Sequence, residues 1–248
     1  MKRLWQDVEL PPGFRLDYRE KTGSTNDDVR EAALRGAGAG LVIVAGRQDA
    51  GRGRRGAAWL CPPGEGLAFS VLLRPRENKA LWPRLSLAAG LAVAEATERL
   101  GSLAEVKWPN DVWVAGKKIA GILVEAGDDF VVVGIGINVG VKDFPPELAD
   151  SATSLALECG EAPELPAVLM LVLERLQVWS ARIGAGFDEL LRGFRVRCAL
   201  TGKEVRLLAA DGALSGKVAG IGEGGELLLE TPGGLRKLVQ ADEVRVTE

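Results

Sequence analysis

Gly51-Arg52-Gly53-Arg54-Arg55-Gly56 puts three glycines and three arginines into six residues, and two apolar runs, Leu41 to Ala45 and Leu67 to Leu73, bracket it. Continuous apolar runs of this length, bounded by glycine and proline, read as strands buried in a sheet. The loop between them is then held at both ends. Glycine allows positive φ and a close approach of backbone to a ligand. Arginine stays ionised and presents a planar fork that matches carboxylate or phosphate. Alone, the hexapeptide would equally suit a solvated linker or a nucleic-acid-binding tail; its setting between buried strands favours a loop that wraps an anion. Three like charges among glycines predict that it is mobile until a ligand orders it.

Upstream, Phe14 to Tyr18 reads as a short strand, and Gly23-Ser24-Thr25-Asn26 as a turn into a helix over Asp27 to Leu34 that Gly36 stops. Ser24 or Thr25 can cap that helix, and a hydroxyl at a helix N-terminus can also bind a polar ligand group. Leu41 to Ala45 delivers Gly46, Arg47, Gln48 and Asp49 into the loop. Trp59, just beyond it, is either a core residue or a lid that stacks on a planar base.

Downstream, Leu85, Ala88, Ala89, Ala92, Val93, Ala96 and Leu100 recur at helical spacing, and Gly101 ends that helix, Arg84 to Leu100. In Lys107-Trp108-Pro109-Asn110-Asp111 a proline interrupts a strand-like segment, which makes a shaped corner. Val112 to Val114, the turn Ala115-Gly116, Ile119 to Glu125 and Phe130 to Val139 then read as a meander. Lys117 and Lys118 sit where this hairpin turns, and two turn lysines are ordinarily solubilising charge. Gly121 marks either a bulge or a ligand close to backbone. Two helices follow, from Pro163-Pro166 to Ile183 and from Phe187 to Val196. Beyond them come short strands at Val205 to Leu208, Lys217 to Ile221, Leu227 to Glu230, Arg236 to Val239 and Val244 to Val246, spaced as in a small closed barrel. The expected division is 1–198 and 199–248.

Composition narrows the chemistry. A hydrophobic content of 47% with 26% charged residues is that of a soluble globular protein, and a net charge of −3 argues against a general nucleic-acid binder. Cys61, Cys159 and Cys198 are odd in number and widely spaced, which suits reduced cytoplasmic thiols better than a disulfide framework or paired zinc ligands. The chain contains no histidine, which excludes Ser-His and Cys-His nucleophilic pairs and histidine metal sites. The first ten residues have no apolar signal core, and no run approaches the roughly 18 apolar residues of a membrane span. The expectation is a chain neither exported nor embedded in a membrane.

Four stretches in this order, Gly51 to Gly56, Lys107 to Asp111, Lys118-Ile119-Ala120-Gly121-Ile122-Leu123-Val124-Glu125 and Gly134-Ile135-Gly136-Ile137-Asn138-Val139, resemble the biotin protein ligases. The resemblance spans about residues 20 to 140 by motif, and the later helices and barrel are similar in order and size. It implies an α/β (α+β) catalytic domain with packed helices on a mixed, mainly antiparallel sheet of the class II synthetase type, and an SH3-like C-terminal β-barrel. It also implies a two-step reaction. Biotin and ATP give biotinyl-adenylate and pyrophosphate, and a lysine of a biotin carboxyl carrier domain then takes the biotinyl group.

By the same resemblance Ser24, Thr25, Asn26, Gln48, Arg52, Gly53, Arg54, Lys118 and Gly121 line the biotin side. Arg52, Arg54, Arg55, Trp59, Lys107, Asn110, Asp111 and Asn138 fall on the ATP side. Lys118 and Arg54 are the implied catalytic residues. The residue types suit the reaction independently: a carboxylate attacking an α-phosphate brings two anions together, so fixed positive charge matters more than a nucleophilic side chain. Mg²⁺ is the expected counterion of ATP, although no carboxylate cluster stands out for it. Ala57 departs from the basic residue common after the loop's last glycine. So few residues precede Ser24 that no winged helix-turn-helix is expected, and hence no DNA binding; a homodimer is compatible with the sequence. The rivals are a lipoate protein ligase of the same fold, disfavoured by the absence of histidine, and a non-catalytic module that binds RNA or an acidic partner.

Overall fold

The computed structural model describes residues 2–209 and 212–247. Its first part is a seven-stranded sheet formed by β1 (Arg15–Arg19), β2 (Leu41–Ala45), β3 (Gly66–Leu73), β4 (Glu105–Lys107), β5 (Asp111–Val114), β6 (Lys117–Ala126) and β7 (Val131–Asn138). The order is β1-β2-β3-β7-β6-β5-β4, with β1 and β2 parallel and every other pair antiparallel. Both faces are covered. Along β2, Leu41 and Ile43 pack with Val29 and Ala33 of helix α1 (Thr25–Leu34), while Val42 and Val44 belong to the larger core beneath. That is why β2 reads as an unbroken apolar run rather than an alternating one. The larger core is capped by α2 (Arg84–Arg99), which packs against α4 (Leu165–Ser180) and α5 (Phe187–Val196); α3 (Leu155–Cys159) is a short turn before them.

Antiparallel partners point to the same face, so the pairing lays out rows of side chains across the sheet. On the α1 face one row is Glu125, Val132 and Leu72, and the next is Leu123, Gly134 and Ser70. The row after that is Asp111, Gly121, Gly136 and Ala68. Bulk falls away toward the N-terminal end of α1, and a hollow results. The alternation in Gly134-Ile135-Gly136-Ile137 now has a physical meaning: both isoleucines are buried in the core and both glycines face the hollow.

The hairpin turn at Ala115-Gly116 has φ of 50° and 79°, a type I′ pattern. Lys117 and Lys118 therefore begin β6 rather than form the turn. The irregularity in this pair lies between Val112 and Trp113, which face Ala120 and Lys118, so the extra residue is Ile119 and not Gly121. The helix expected to reach Ile183 ends at Ser180.

The second sheet comprises β8 (Glu204–Ala209), β9 (Gly212–Ile221), β10 (Leu227–Thr231), β11 (Gly234–Leu238) and β12 (Asp242–Val246) in the antiparallel order β11-β10-β9-β8-β12. Among the described residues β11 and β12 are its two edges, so the hydrogen-bonded ladder is not closed. Val205, Leu207, Leu227 and Leu229 point inward and are contiguous with the main core. Trp108, buried, donates from Nε1 to the Gly225 carbonyl at 3.0 Å, and Arg195 donates to the Ile221 carbonyl at 2.8 Å. These bonds tie the second sheet to the first part. Among the described residues no helix is long and apolar enough to cross a membrane, and Cys61, Cys159 and Cys198 are unpaired.

Candidate active site

A cavity of about 520 Å³ lies over the glycine rows, walled by the N-terminus of α1, the arginine loop and the start of β6. Glycine serves here by lacking a side chain, not by its φ. A Cβ on Gly134 would come 2.1 Å from Asn26 Oδ1, and one on Gly136 would come 2.2 Å from Trp59 Cε2. Neither approach is possible for any other residue without moving a neighbour.

The α1 wall is built from buried polar groups. Ser24 occupies the N-cap position with extended backbone, yet its side chain makes no capping bond. Gln48 does that work instead, accepting from the Thr25 backbone N–H at 2.8 Å and the Thr25 hydroxyl at 3.1 Å. Parallel pairing brings Gln48 under the helix, because it continues past β1 and β2 through the Thr22–Gln48 bridge. Ser70 Oγ lies 2.7 Å from Thr25 Oγ1 and 2.6 Å from Asn26 Oδ1, and Asn26 donates to Glu125 at 2.6 Å. The Ser24 hydroxyl, which lines the cavity, takes no part in the cap.

The arginine loop folds back on itself through an Arg52–Ala58 bridge and a bond from Gly53 N–H to the Ala57 carbonyl at 2.7 Å. Its three guanidiniums do not repel one another as the bare sequence suggests, since each meets a carboxylate from a distant segment. Arg52 forms a two-bond fork with Asp27 at 2.6 and 2.5 Å and reaches Glu125 at 3.4 Å. This fork holds the Asp27 carboxyl below its usual range, and the guanidinium is held more firmly protonated by the same bonds. Arg54 and Arg55 both pair with Asp242, at 3.3 and 2.5 Å.

Opposite the loop, Lys118 Nζ lies 2.8 Å from Asp111 Oδ1 and 5.7 Å from the Trp59 ring. The Lys118 backbone is fixed by bonds to Ser151 and Thr153. Trp59 is half-buried and lies on the Gly121 and Gly136 floor, so it is not a core residue; its indole N–H is buried without a partner. Asn110 brackets Ile122, donating to its carbonyl and accepting from its N–H, both at 2.9 Å. The lining holds four cations, Arg52, Arg54, Arg55 and Lys118, each paired with a carboxylate: Asp111 and Asp242 in the lining, and Asp27 and Glu125 behind Arg52. A hollow of this size, with cations converging on it from exchangeable ion pairs, suits a compact organic anion.

Ser24, Thr25, Asn26, Gln48, Arg52, Gly53, Arg54, Arg55, Trp59, Asn110, Asp111, Lys118 and Gly121 all line this cavity. Two expected residues do not. Lys107 pairs with Asp111 across β4 and β5, so it stands behind that carboxylate, with its ammonium 4.5 Å from the Trp113 ring. Burial pushes its pKa down, against the pull of Asp111. Asn138 is buried and spends its amide on the Thr153 carbonyl at 3.0 Å, beyond the end of the glycine row. The sequence reading assigned no role to Asp27, Ser70, Glu125 or Asp242. Of these, Ser70 and Glu125 carried a signal, the one a hydroxyl inside an apolar strand and the other a charge at the end of one.

The sheet, the glycine floor and the cationic loop together define the class of the molecule. The family described as Biotin/lipoate A/B protein ligase matches residues 19–141, and that described as Biotin protein ligase C terminal domain matches residues 200–244. The biotin--[acetyl-CoA-carboxylase] ligase of Mycobacterium tuberculosis is 37% identical over 92% of this chain and 88% of its own. The bifunctional ligase/repressor BirA of Bacillus subtilis is 36% identical over 93% of this chain and 74% of its own. A structure of the Aquifex aeolicus biotin protein ligase in complex with biotin and ATP matches with a TM-score of 0.84 and 34% identity, over 94% of this chain and 99% of that one. The chain belongs to the biotin protein ligase family.

Proposed function

We propose that the cavity activates biotin with ATP and that the chain then transfers the biotinyl group to a lysine of the biotin carrier of an acetyl-CoA carboxylase, the enzyme named in its relatives. The observation that carries this reading is the convergence of four cations, each on an exchangeable ion pair, on a hollow whose floor is backbone. A biotin carboxylate oxygen attacks the α-phosphorus of ATP, the bond to the β-phosphate oxygen breaks, and pyrophosphate leaves. The carrier lysine, as the free amine, then attacks the acyl carbon of the mixed anhydride and AMP leaves.

In this reading the glycine floor and the α1 polar wall receive the biotin ring system, and Arg52, Gly53 and Arg54 close on its carboxylate side. Lys118 exchanges Asp111 for the reacting oxygens, where its charge offsets that developing on the phosphate. Trp59 lies where its ring can stack on adenine, with Arg55, Asn110 and Asp111 on the nucleotide side. Mg²⁺ accompanies ATP as its counterion. Its ligands would be mainly the phosphates and water; no cluster of three or more potential metal-ligating side chains occurs among the described residues. Residues 1–198 form the catalytic part, and 199–248 assist ATP use or carrier transfer rather than biotin binding.

Incubation with ATP and either biotin or lipoate, followed by pyrophosphate measurement, tests the proposal. Release with biotin alone is expected. Release with lipoate alone would transfer the reading to lipoate ligation, and release with neither would leave a binding module.

A further inference from the structure

We propose that Asp242, at the start of β12, is a positioning residue: it clamps the arginine loop over the cavity from the second sheet and so retains the activated intermediate until the carrier arrives. This rests on the ligase reading. The Asp242 carboxylate is 14% exposed and meets Arg55 at 2.5 Å and Arg54 at 3.3 Å, while Arg54 also donates to the Ala241 carbonyl at 3.0 Å. One short stretch of the C-terminal part thus makes all three contacts. Arg55 has φ of 53°, a left-handed conformation that a side chain other than glycine's keeps only when its surroundings hold it there. The ion pair with Asp242 falls on this residue.

The anchor is tied to the site through backbone and side-chain bonds. Asp242 pairs with Leu208 in the ladder, and the second sheet is bonded to the catalytic part through Trp108 and Arg195. The clamp also has a place in the cavity's shape. Arg54, Arg55 and Asp242 line both the main cavity and a neighbouring one of about 600 Å³ that runs past Trp82, Val124 and the exposed Val239. The ion pairs form one part of the partition between the two, and Asn110, Ile122 and Leu123 form the rest. Breaking the ion pairs would join the cavities and give the adenylate a way out. A guanidinium has five N–H donors, so Arg54 can keep one edge on Asp242 and offer another to a phosphate; clamping and ligand binding are compatible.

Removing the carboxylate charge leaves two adjacent guanidiniums without their shared partner, and the loop should open more often. The test is the lifetime of the enzyme-bound intermediate. The full chain is loaded with biotin and radiolabelled ATP in the presence of pyrophosphatase, desalted, and followed for loss of label. Asp242→Asn should lose biotinyl-adenylate about tenfold faster or more, as expected for a charge-assisted bond, while the chain stays folded at the assay temperature and still binds biotin. Asp242→Glu should restore retention. Arg55→Ala removes the same pair from an exposed side chain that contributes little packing, and it should leak likewise. Added salt should shorten the lifetime by a larger factor in the unsubstituted chain than in Asp242→Asn. Equal lifetimes for the unsubstituted chain and both charge-removing variants would overturn the clamp, as would failure of Asp242→Glu to rescue. No labelled adenylate from the unsubstituted chain would overturn the ligase reading, and the clamp with it.

Discussion

The floor of the cavity and the loop above it recognise a ligand by opposite means. The floor is strand backbone, locked in the β3–β7–β6 ladder, and it sets the cavity's shape because Gly121, Gly134 and Gly136 let the Lys118, Asn26 and Trp59 side chains lie close against it, where a methyl group would push them into the cavity. The loop is half exposed, has no ladder, and is held by ion pairs from three distant carboxylates, Asp27, Glu125 and Asp242. Such pairs are exchangeable: a ligand carboxylate or phosphate can take the place of a protein one at modest net cost. Shape is therefore set before the ligand arrives, and charge is rearranged around it.

Lys118 tests this contrast most severely, because it belongs to a floor strand by position and to the exchangeable set by its bond to Asp111. Lys118→Ala should lower pyrophosphate release by about a hundred- to a thousandfold, the loss typical of removing one preorganised donor to a developing charge. The fold should survive, since the Lys118 side chain is 34% exposed. Near-normal release at saturating substrates would remove Lys118 from the chemistry.

Within the floor, Gly136→Ala should weaken biotin binding more than Gly121→Ala. At Gly136 the new methyl would lie 2.2 Å from the Trp59 ring, whereas at Gly121 its nearest contacts, at 3.2 Å, include the flexible end of Lys118. Displacing a packed indole is an overpacking cost of about 1–3 kcal/mol, equivalent to roughly a tenfold or greater loss of affinity. Calorimetric titration with biotin alone checks it. Equal losses at the two positions would mean that the floor does not select by space.

The floor was more legible in the sequence than the clamps of the loop, for the same physical reason. A strand's alternation is local, so Gly134-Ile135-Gly136-Ile137 announces one buried face and one bare face within four residues. The partner of an arginine is a matter of tertiary placement, and nothing near Arg55 points to Asp242, far along the chain. The helix cap failed likewise: Ser24 is the right residue type in the right place, but parallel pairing supplies Gln48 and relieves it. Lys107 and Asn138 belong to motifs that touch the cavity, yet each is displaced from it along a row, behind Asp111 or beyond Gly136.

For the loop, Arg54→Gly should keep some adenylate synthesis but release the intermediate early. Bystander lysines in a protein mixture would then be labelled along with the carrier, with several times the bystander signal on a biotin blot. The physical reason is loss of both the Asp242 pair and a donor to the intermediate, each charge-assisted bond contributing about 1.5–3 kcal/mol. Labelling confined to the carrier would show that the loop does not act as a lid, and the contrast between a fixed floor and an exchangeable roof would have to be abandoned.

The smallest effect concerns Asp27, and it asks whether the loop's ion pairs matter to the free protein at all. Its carboxyl is held below the ordinary aspartate range mainly by the fork from Arg52. A depressed folded-state value means stability that is present above the unfolded value, about 3.9, and lost as pH falls through the folded one. The Asp27 side chain is 57% exposed, so solvent screening limits the contribution to at most about 1 kcal/mol. Asp27→Asn should accordingly lower the thermal midpoint by no more than about 2–4 °C at neutral pH. The gap should begin to narrow below about pH 4, where Asp27 protonates in the unfolded chain, and close once the pH falls through its lower folded-state value; it should also narrow in high salt. A gap that persisted unchanged in acid would show that Asp27 acts through packing rather than charge, and that this part of the roof is as fixed as the floor.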